Sequence, residues 1–194
     1  MHVWRKVLLF ILLVPWAAMG TPDPGVVAKL REGGYVLYMR HASTDFSQND
    51  ASMKGFDDCA HQRNLTDKGR AEARDVALHL KRLAIPVGEV LASPYCRTME
   101  TARLAFGKAT PMQEARGGPV QSDDPKRYDG LRKLLSDPVA KGTNRVISSH
   151  GNPFHAVAGP PYLAEGEIAV LRPEGGGRFT IIDRIRLEDW KALP

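Results

Sequence analysis

The sequence predicts an α/β fold, a three-layer α/β/α sandwich with a mostly parallel sheet and an antiparallel hairpin at its C-terminal edge. Short apolar runs typical of buried strands alternate along the chain with segments of helical periodicity. Such alternation implies right-handed crossovers between parallel strands. Two late strand-like runs are joined through the Glu-Gly-Gly-Gly segment 174–177, and this is a hairpin signal.

The elements follow one another in a regular order. A short first helix ends at Gly33-Gly34, which fits a C-terminal cap. The second helix begins at Thr66, a residue suited to the N-cap position, and Pro86 ends it. The predicted strands are 35–40, 87–93, 144–149, 167–172 and 178–186, with a further short strand near 111–114. The predicted helices are 26–30, 66–85, 95–106, 125–137 and 152–158.

Composition and charge argue against a nucleic-acid-binding protein. The chain has 194 residues, of which 27 are basic and 22 acidic, giving a formal net charge of +5. The basic residues form no block that resembles a nucleic-acid-binding arm, and aromatic residues do not interleave with them. We interpret the basic excess as surface solvation together with an anion-binding site.

The first 20 residues predict a signal for export. Arg5-Lys6 precedes the apolar run 7–14, and Ala18-Met19-Gly20 offers small residues for cleavage after Gly20. An uncleaved membrane anchor is the alternative, but a span needs about 20 apolar residues and this run is shorter. We expect a single domain over 21–194, located in the periplasm or outside the cell, with no stable membrane span after cleavage.

Arginine and histidine side chains follow three of the predicted strands. Arg40 and His41 close the first strand, Arg97 comes shortly after the second, and His150 closes the third. Because ligand sites of parallel sheets lie at the carboxyl ends of the strands, we expect these residues to share one pocket. Neutral imidazole is a competent nucleophile near neutral pH. A guanidinium group can donate two parallel hydrogen bonds to two phosphoryl oxygens. The pattern therefore predicts a site for a phosphate ester.

Four short motifs in chain order resemble those of the histidine phosphatase superfamily, which has the phosphoglycerate-mutase-like fold. Ala42 departs from the family pattern, because many members carry Gly after the first histidine. The four motifs are Arg40-His41, Leu65-Thr66-x-x-Gly69-Arg70, Ser93-Pro94-x-x-Arg97-Thr98-x-Glu100-Thr101-Ala102 and Ser149-His150-Gly151.

This resemblance implies a role for each motif residue. His41 matches the histidine that is phosphorylated on a ring nitrogen, and Arg40 and Arg97 match the arginines that clamp the phosphate. His150 matches the second histidine, which donates to the phosphoryl group. The family chemistry requires neither a metal ion nor another cofactor, and the chain offers no His-x-x-x-His or Cys-x-x-Cys spacing for a metal site.

Three further residues are candidates for binding the substrate. Gly151 permits close approach of the backbone, and Thr44 and Ser43 offer hydroxyl groups just after the nucleophile. Asn152 stands where the acid phosphatase and phytase branch of the family carries Asp, so the resemblance to that branch is weaker.

The residue that protonates the leaving group is the least defined part of the predicted site. Much of the family carries an acid between the second arginine motif and the late histidine. Glu114 is our candidate, because it ends a possible strand in that interval. Asp123 and Asp124 lie in the same interval, and Glu165 and Glu167 are further alternatives.

The two cysteines, Cys59 and Cys96, predict one disulfide in an oxidising compartment. Cys96 precedes Arg97, so a bridge would hold the 50–63 loop over the site. The alternative is a pair of free, partly buried thiols.

Together these features predict metal-independent hydrolysis of a phosphomonoester through a phosphohistidine on His41. The expected partner is a small phosphorylated substrate, and an envelope sugar phosphate is one such substrate by family analogy. The loops 43–64 and 107–124 are expected to border the pocket and set specificity. Two alternatives are a phosphohistidine or phosphoprotein phosphatase and a non-catalytic phosphate-binding envelope protein.

Overall fold

A computed structural model describes residues 23–116 and 126–194. Its strands are β1 (Val36–Arg40), β2 (Val87–Ala92), β3 (Thr110–Pro111), β4 (Asn144–Ser149), β5 (Ile168–Gly175) and β6 (Arg178–Ile185). Its helices are α1 (Val26–Glu32), α2 (Asp67–Arg82), α3 (Cys96–Phe106), α4 (Asp129–Ser136) and α5 (Gly151–Ala158). Short 3-10 helices lie at Cys59–His61, Gln113–Arg116 and Asp189–Lys191.

The six strands form one mixed sheet in the order β3-β2-β4-β1-β5-β6. Strand β4 lies parallel between β2 and β1, and β3 adds a short parallel pairing at the edge of β2. Strand β5 runs antiparallel to β1 and forms a hairpin with β6. The predicted α/β class, with a mostly parallel sheet and an antiparallel edge hairpin, is confirmed.

Helices cover both faces of this sheet. Alternate side chains of a strand point to opposite faces, and β1 follows this rule. Its Leu37 and Met39 belong to a core cluster with residues of α1, α2 and α3. Val36 and Tyr38 belong to a second cluster with residues of α4 and α5. Two cores separated by one sheet make the predicted three-layer sandwich.

Element boundaries differ slightly from those predicted. The late strand extends from the predicted residue 172 to Gly175, because its pairing with β6 continues to the Gly175–Arg178 pair. Helix α5 begins at Gly151 rather than 152, so it starts directly after His150. Helix α3 begins at Cys96 rather than 95, which leaves Tyr95 at its N-cap.

The start of α2 holds the segment that follows β1. Thr66 is the N-cap, and its side chain accepts a hydrogen bond from the Gly69 backbone N–H at 3.0 Å, as the sequence predicts. A Cβ atom on Gly69 would fall 2.1 Å from the carbonyl oxygen of Ser43. Only glycine permits this close approach, which anchors the chain two residues after His41.

Some of the predicted features lie outside the described residues: the export signal over 1–20, the start of the helix predicted at 125–137, and Asp123 and Asp124. Of the helices that the structure describes, none combines the length and the apolar character needed to cross a membrane.

Candidate active site

The two histidines meet at the carboxyl ends of two neighbouring strands. His41 follows β1, His150 follows β4, and Arg40 pairs with Ser149 in the parallel register. The two imidazole rings lie edge to face, with 5.6 Å between their centroids. The sheet topology therefore brings together side chains that are more than 100 positions apart in the sequence.

His41 is buried, and one of its ring nitrogens is already bonded. Its Nδ1 lies 2.9 Å from the carbonyl oxygen of Ala42. A carbonyl only accepts, so this contact assigns the ring hydrogen to Nδ1 and leaves the lone pair of Nε2 free. Burial lowers the pKa of His41 to about 3, and the nearby charges of Arg97 and Arg40 act in the same direction. The imidazole is therefore neutral and nucleophilic over the physiological pH range.

Arg40, the last residue of β1, is held by the segment after α5. Its Nη1 donates to the carbonyl oxygen of Leu163 at 2.7 Å. Its Nη2 lies 3.6 Å from Oε1 of Glu165. These two contacts fix the guanidinium of Arg40, the residue that precedes His41.

Arg97 lies in the first turn of α3 and is only 6% exposed. Its Nη1 donates to Oδ1 of Asp50 at 2.9 Å and to the carbonyl oxygen of Arg63 at 3.3 Å. Its guanidinium also lies over the ring of Tyr95, 4.5 Å from the centroid. A buried arginine needs such partners, because an unpaired buried charge is costly.

Arg63 is a third arginine of the site and was missed in the sequence. Its backbone N–H donates to Oδ1 of Asp50 at 2.9 Å, so one carboxylate oxygen binds both Arg63 and Arg97. Its charge acts with those of Arg97 and Arg40 to lower the pKa of both His41 and His150. Arg63 and Asp50 both lie in the predicted 43–64 loop, where no periodicity indicates which side chains point inward.

Glu165 is the carboxylate nearest His41. Its Oε1 accepts a hydrogen bond from the Thr44 hydroxyl at 2.7 Å and lies 3.8 Å from Nδ1 of His41. Its Oε2 accepts from the Thr44 backbone N–H at 3.3 Å. Thr44 thus lies near His41 with its hydroxyl bound to Glu165, and its role in binding the substrate stays a prediction.

Glu114 does not end a strand, because the strand predicted near 111–114 is limited to Thr110–Pro111. It is an exposed residue of the short helix Gln113–Arg116. Within the described residues, no hydrogen bond or ion pair joins it to His41, Arg40, Arg97 or His150. Its role as the acid stays a prediction.

Ser93 orients the second histidine and was not singled out in the sequence. Its hydroxyl lies 2.8 Å from Nε2 of His150. The backbone carbonyl of His150 accepts a hydrogen bond from the Tyr38 hydroxyl at 2.8 Å. Burial of the imidazole, followed by the charge of Arg97, lowers the pKa of His150 well below its usual value. Both histidines of the site are therefore neutral.

Ser43 and Gly151 occupy the flanks of the site. The Ser43 backbone N–H donates to Oε2 of Glu72 at 3.1 Å, so this residue is tied to α2. Gly151 opens α5, and a Cβ atom there would fall 2.1 Å from Cε1 of Tyr162. Glycine is thus required at position 151 to seat the Tyr162 ring against the start of α5.

The predicted disulfide between Cys59 and Cys96 is present. It joins the loop that carries Asp50 and Arg63 to the first turn of α3. Buried Gln62 reinforces this junction, because its Oε1 accepts a hydrogen bond from the Cys96 backbone N–H at 2.9 Å.

The balance of charge suits an anionic ligand. Three arginines face two carboxylates, Asp50 and Glu165, and both histidines are neutral, so one positive charge is left over. In the ranges 23–116 and 126–194, no three or more His, Cys, Asp or Glu side chains are grouped so that they could hold a metal ion.

Comparison with known proteins places this arrangement in context. The model of the histidine phosphatase superfamily (branch 1) matches residues 36–117. His150 lies beyond this segment, so its place in the site rests on geometry. No curated protein matches the chain.

Several solved structures share the fold. The protein histidine phosphatase SixA, solved with tungstate, is 24% identical over 80% of this chain and 98% of its own, with a TM-score of 0.55. Phosphoserine phosphatase from Entamoeba histolytica, solved with 3-phosphoglyceric acid, is 14% identical over 80% and 98%, with a TM-score of 0.55. Bacillus stearothermophilus YhfR is 17% identical over 77% and 95%, with a TM-score of 0.51.

Proposed function

We propose that this chain, which belongs to the histidine phosphatase superfamily, hydrolyses phosphate monoesters through a phosphohistidine formed on Nε2 of His41. One observation carries the proposal. A buried neutral imidazole, with Nδ1 bonded to Ala42 and Nε2 free, lies within the electrostatic reach of Arg40, Arg63 and Arg97. A nucleophile surrounded by guanidinium groups fits a phosphoryl group better than an acyl or glycosyl group.

In the first step, the lone pair of Nε2 forms a bond to phosphorus while the ester P–O bond breaks. The alcohol oxygen leaves with the electron pair of that bond and takes up a proton. Negative charge develops on the equatorial oxygens of the phosphoryl group, and fixed cations stabilise such charge without reorganising. Arg40 and Arg97 supply that stabilisation in our proposal, and Arg63 adds a third charge.

In the second step, water attacks phosphorus and the P–N bond breaks, so the electron pair returns to Nε2. The proton that water loses replaces the one that the leaving alcohol took up. In our proposal His150 donates a hydrogen bond to the same phosphoryl group, supported by its contact with Ser93 and its position against the His41 ring. Neither step changes an oxidation state, and the net reaction consumes only the ester and water.

The proton donor is tested by comparing two kinds of leaving group. An aryl phosphate leaves readily without protonation, whereas an alkyl phosphate depends on it. If Glu114 is the acid, Glu114→Gln lowers kcat/KM for an alkyl phosphate by about 10²-fold and leaves the aryl phosphate nearly unchanged. Glu165→Gln is the matched variant. Its side chain contacts Arg40 and Thr44, so we expect any change in kcat/KM to be the same for both substrates. A selective loss in Glu165→Gln instead would assign the acid to Glu165.

Export to the periplasm or outside the cell, and a substrate of the envelope sugar phosphate type, are part of the same proposal. The basic residues and apolar run within positions 1–20 support export. A second candidate is the dephosphorylation of phosphohistidine in a protein, since one protein with this fold, SixA, is a protein histidine phosphatase.

The direct test is hydrolysis of para-nitrophenyl phosphate by the purified full chain in the presence of EDTA. We expect metal-independent turnover that His41→Ala abolishes. His79→Ala is the control, because His79 stacks on Trp190 in the outer layer and its loss should leave turnover unchanged. If the folded wild-type protein binds phosphate but turns over no ester, it is a phosphate-binding protein and the proposed activity is wrong.

A further inference from the structure

Each arginine of the site lies against an aromatic ring. The guanidinium carbon of Arg40 is 5.3 Å from the ring centroid of Tyr162, and that of Arg63 is 4.9 Å from the centroid of Phe46. The third pair is formed by Arg97 and the ring of Tyr95. Cation–aromatic contacts of this kind are common singly. Here three of them occur at one site, so aromatic rings adjoin all three arginines that would bind the phosphate.

Two of the three aromatic rings are open to solvent. Phe46 is 70% exposed and Tyr162 is 45% exposed. In the described part of the chain, four large hydrophobic side chains are exposed, and the other two, Leu78 and Ile181, are aliphatic. Both exposed aromatic rings thus lie on arginines of the catalytic site. Exposed apolar surface rimmed by polar groups is typical of ligand-binding grooves.

Tyr162 is fixed in its exposed position. Its hydroxyl donates to Oδ1 of Asn152 at 2.5 Å, and its ring lies against Gly151 and near the ring of His155, 5.7 Å between centroids. Phe46, in contrast, lies in the turn that starts at Asp45, and its described ring contact is with Arg63. A ring held in place binds a ligand with little loss of conformational freedom.

We propose that Phe46 and Tyr162 form a leaving-group subsite for phosphate monoesters whose alcohol carries a ring. This inference rests on the proposed function and names its substrate class. An aromatic face binds the C–H face of a sugar ring or stacks on an aryl ring, but gains less from a flexible open chain. Because the two rings adjoin phosphate-binding arginines, a ring one or two bonds from the phosphate lies within their reach.

The competing interpretation is that the two aromatic rings only orient Arg40 and Arg63. In that case their removal would weaken binding of the phosphate group itself, and every substrate would be affected alike. A comparison of ring and open-chain substrates within each variant therefore separates the two interpretations.

The experiment compares glucose 6-phosphate with glucitol 6-phosphate. These have equal numbers of carbon atoms and the same type of primary leaving alcohol, and they differ in the ring. Benzyl phosphate adds an aryl ring on a primary alcohol and distinguishes an aromatic from a sugar preference. The variants are Phe46→Ala and Tyr162→Ala, with Tyr162→Phe to keep the ring and Leu78→Ala as an exposed control away from the site.

We expect kcat/KM in the wild type to favour the ring substrates by about threefold to tenfold, the usual worth of one stacked ring. Phe46→Ala and Tyr162→Ala should bring this ratio to within about twofold of one, while Tyr162→Phe and Leu78→Ala keep it. Equal losses for ring and open-chain substrates would overturn the proposal in favour of arginine orientation. A wild-type protein with no ring preference, including one that acts only on a phosphorylated protein, would overturn it as well.

Binding measured by calorimetry in the His41→Ala background separates failure of this inference from failure of the proposed function. If the wild type does not turn over para-nitrophenyl phosphate, yet the ring phosphates still bind about threefold or more tightly than glucitol 6-phosphate, the enzyme proposal fails and the subsite stands. If turnover occurs without any ring preference in kcat/KM or binding, the subsite fails and the enzyme proposal stands.

Discussion

Two chain segments border the active site, and different kinds of bond attach them to the rest of the fold. The segment 43–64 is joined to α3 by the Cys59–Cys96 disulfide and by one hydrogen bond that the Gln62 side chain accepts from the Cys96 backbone N–H. The segment 159–167 is joined to the end of β1 through the backbone. The Gly166 N–H donates to the carbonyl oxygen of His41 at 3.0 Å, and the Arg40 N–H donates to that of Glu167 at 3.1 Å.

Each segment provides one carboxylate to one arginine of the proposed phosphate clamp. Asp50, from the disulfide-linked segment, contacts Arg97 at 2.9 Å. Glu165, from the backbone-linked segment, lies 3.6 Å from Arg40. The comparison teaches that the two halves of the proposed clamp, Arg40 with Glu165 and Arg97 with Asp50, depend on different conditions. The Arg40 half needs only the folded sheet, whereas the Arg97 half also depends on a bond that forms under oxidation.

The largest effect should come from the arginines themselves, and it should be similar for both halves. We expect Arg40→Ala and Arg97→Ala each to lower kcat/KM for para-nitrophenyl phosphate by about 10²- to 10³-fold, the usual loss when one fixed group that stabilises developing charge is removed. Arg103→Ala, an exposed position on α3, is the control. Losses below about tenfold for both variants would contradict the assignment of the clamp.

The disulfide should distinguish the two halves. The disulfide closes a loop whose ends are 37 residues apart in the sequence. Replacing both Cys59 and Cys96 with Ser opens this loop in the unfolded chain, which we expect to lower the free energy of unfolding by roughly 3 to 4 kcal/mol. For a chain of this length the melting temperature should fall by roughly 6 to 15 °C. Calorimetry with and without a thiol reductant measures this change.

Reduction should destabilise the wild type and leave the double Ser variant unaffected, because the variant has no bond to break. Any loss of activity on reduction should follow the same pattern. An unchanged melting temperature of the wild type on complete reduction would show that the bridge does not hold this segment.

Removing the charge of either carboxylate should have a smaller effect, and it should strengthen rather than weaken phosphate binding. Asp50→Asn and Glu165→Gln keep the side-chain shape but remove a negative charge beside an anion site. We expect the inhibition constant of inorganic phosphate to fall by about threefold to tenfold in each variant, less so at high salt. Asp57→Asn, exposed in the same segment as Asp50, is the control. Weaker phosphate inhibition would mean that the carboxylates mainly position the arginines.

The last prediction concerns the dependence of stability on pH. Folding lowers the pKa of His41 from 6.5 to about 3 and lowers that of His150 in the same direction. The unfolded chain then binds more protons than the folded chain below pH 6.5, so stability falls as pH decreases from there. The contribution of these histidines is fully present above that pH and is lost progressively towards about pH 3.

Urea unfolding at about pH 7 and about pH 5 measures this slope. We expect His150→Gln to lose less stability between the two pH values than the wild type loses. The same loss in both proteins would contradict the idea that burial keeps the imidazole of His150 neutral.

The sequence was sufficient to predict the strand-end part of the site. His41, Arg40 and His150 follow strands whose apolar runs are easily recognised, and parallel topology places such strand ends side by side. Arg97 was predictable because α3 starts directly after β2. The position of each of these residues follows from the backbone path alone.

The partners of these residues could not be predicted in the same way. Asp50 and Arg63 lie in a loop without periodicity, so nothing local fixes the direction of their side chains. Glu165 and Glu167 are two residues apart in another loop, and tertiary contacts separate their roles. Glu167 is buried against the Ala164 backbone N–H, whereas Glu165 enters the site. Tertiary packing, rather than spacing, decides which carboxylate reaches the nucleophile.

The most direct test of the central claim is to trap the covalent intermediate. The protein is mixed with ³²P-labelled aryl phosphate and quenched in alkali, in which phosphohistidine is stable. We predict label on one peptide, with the phosphoryl group on His41, and no label in His41→Ala. Label on another residue, or turnover with no covalent label while His41→Ala remains active, would contradict the assignment of His41 as the nucleophile.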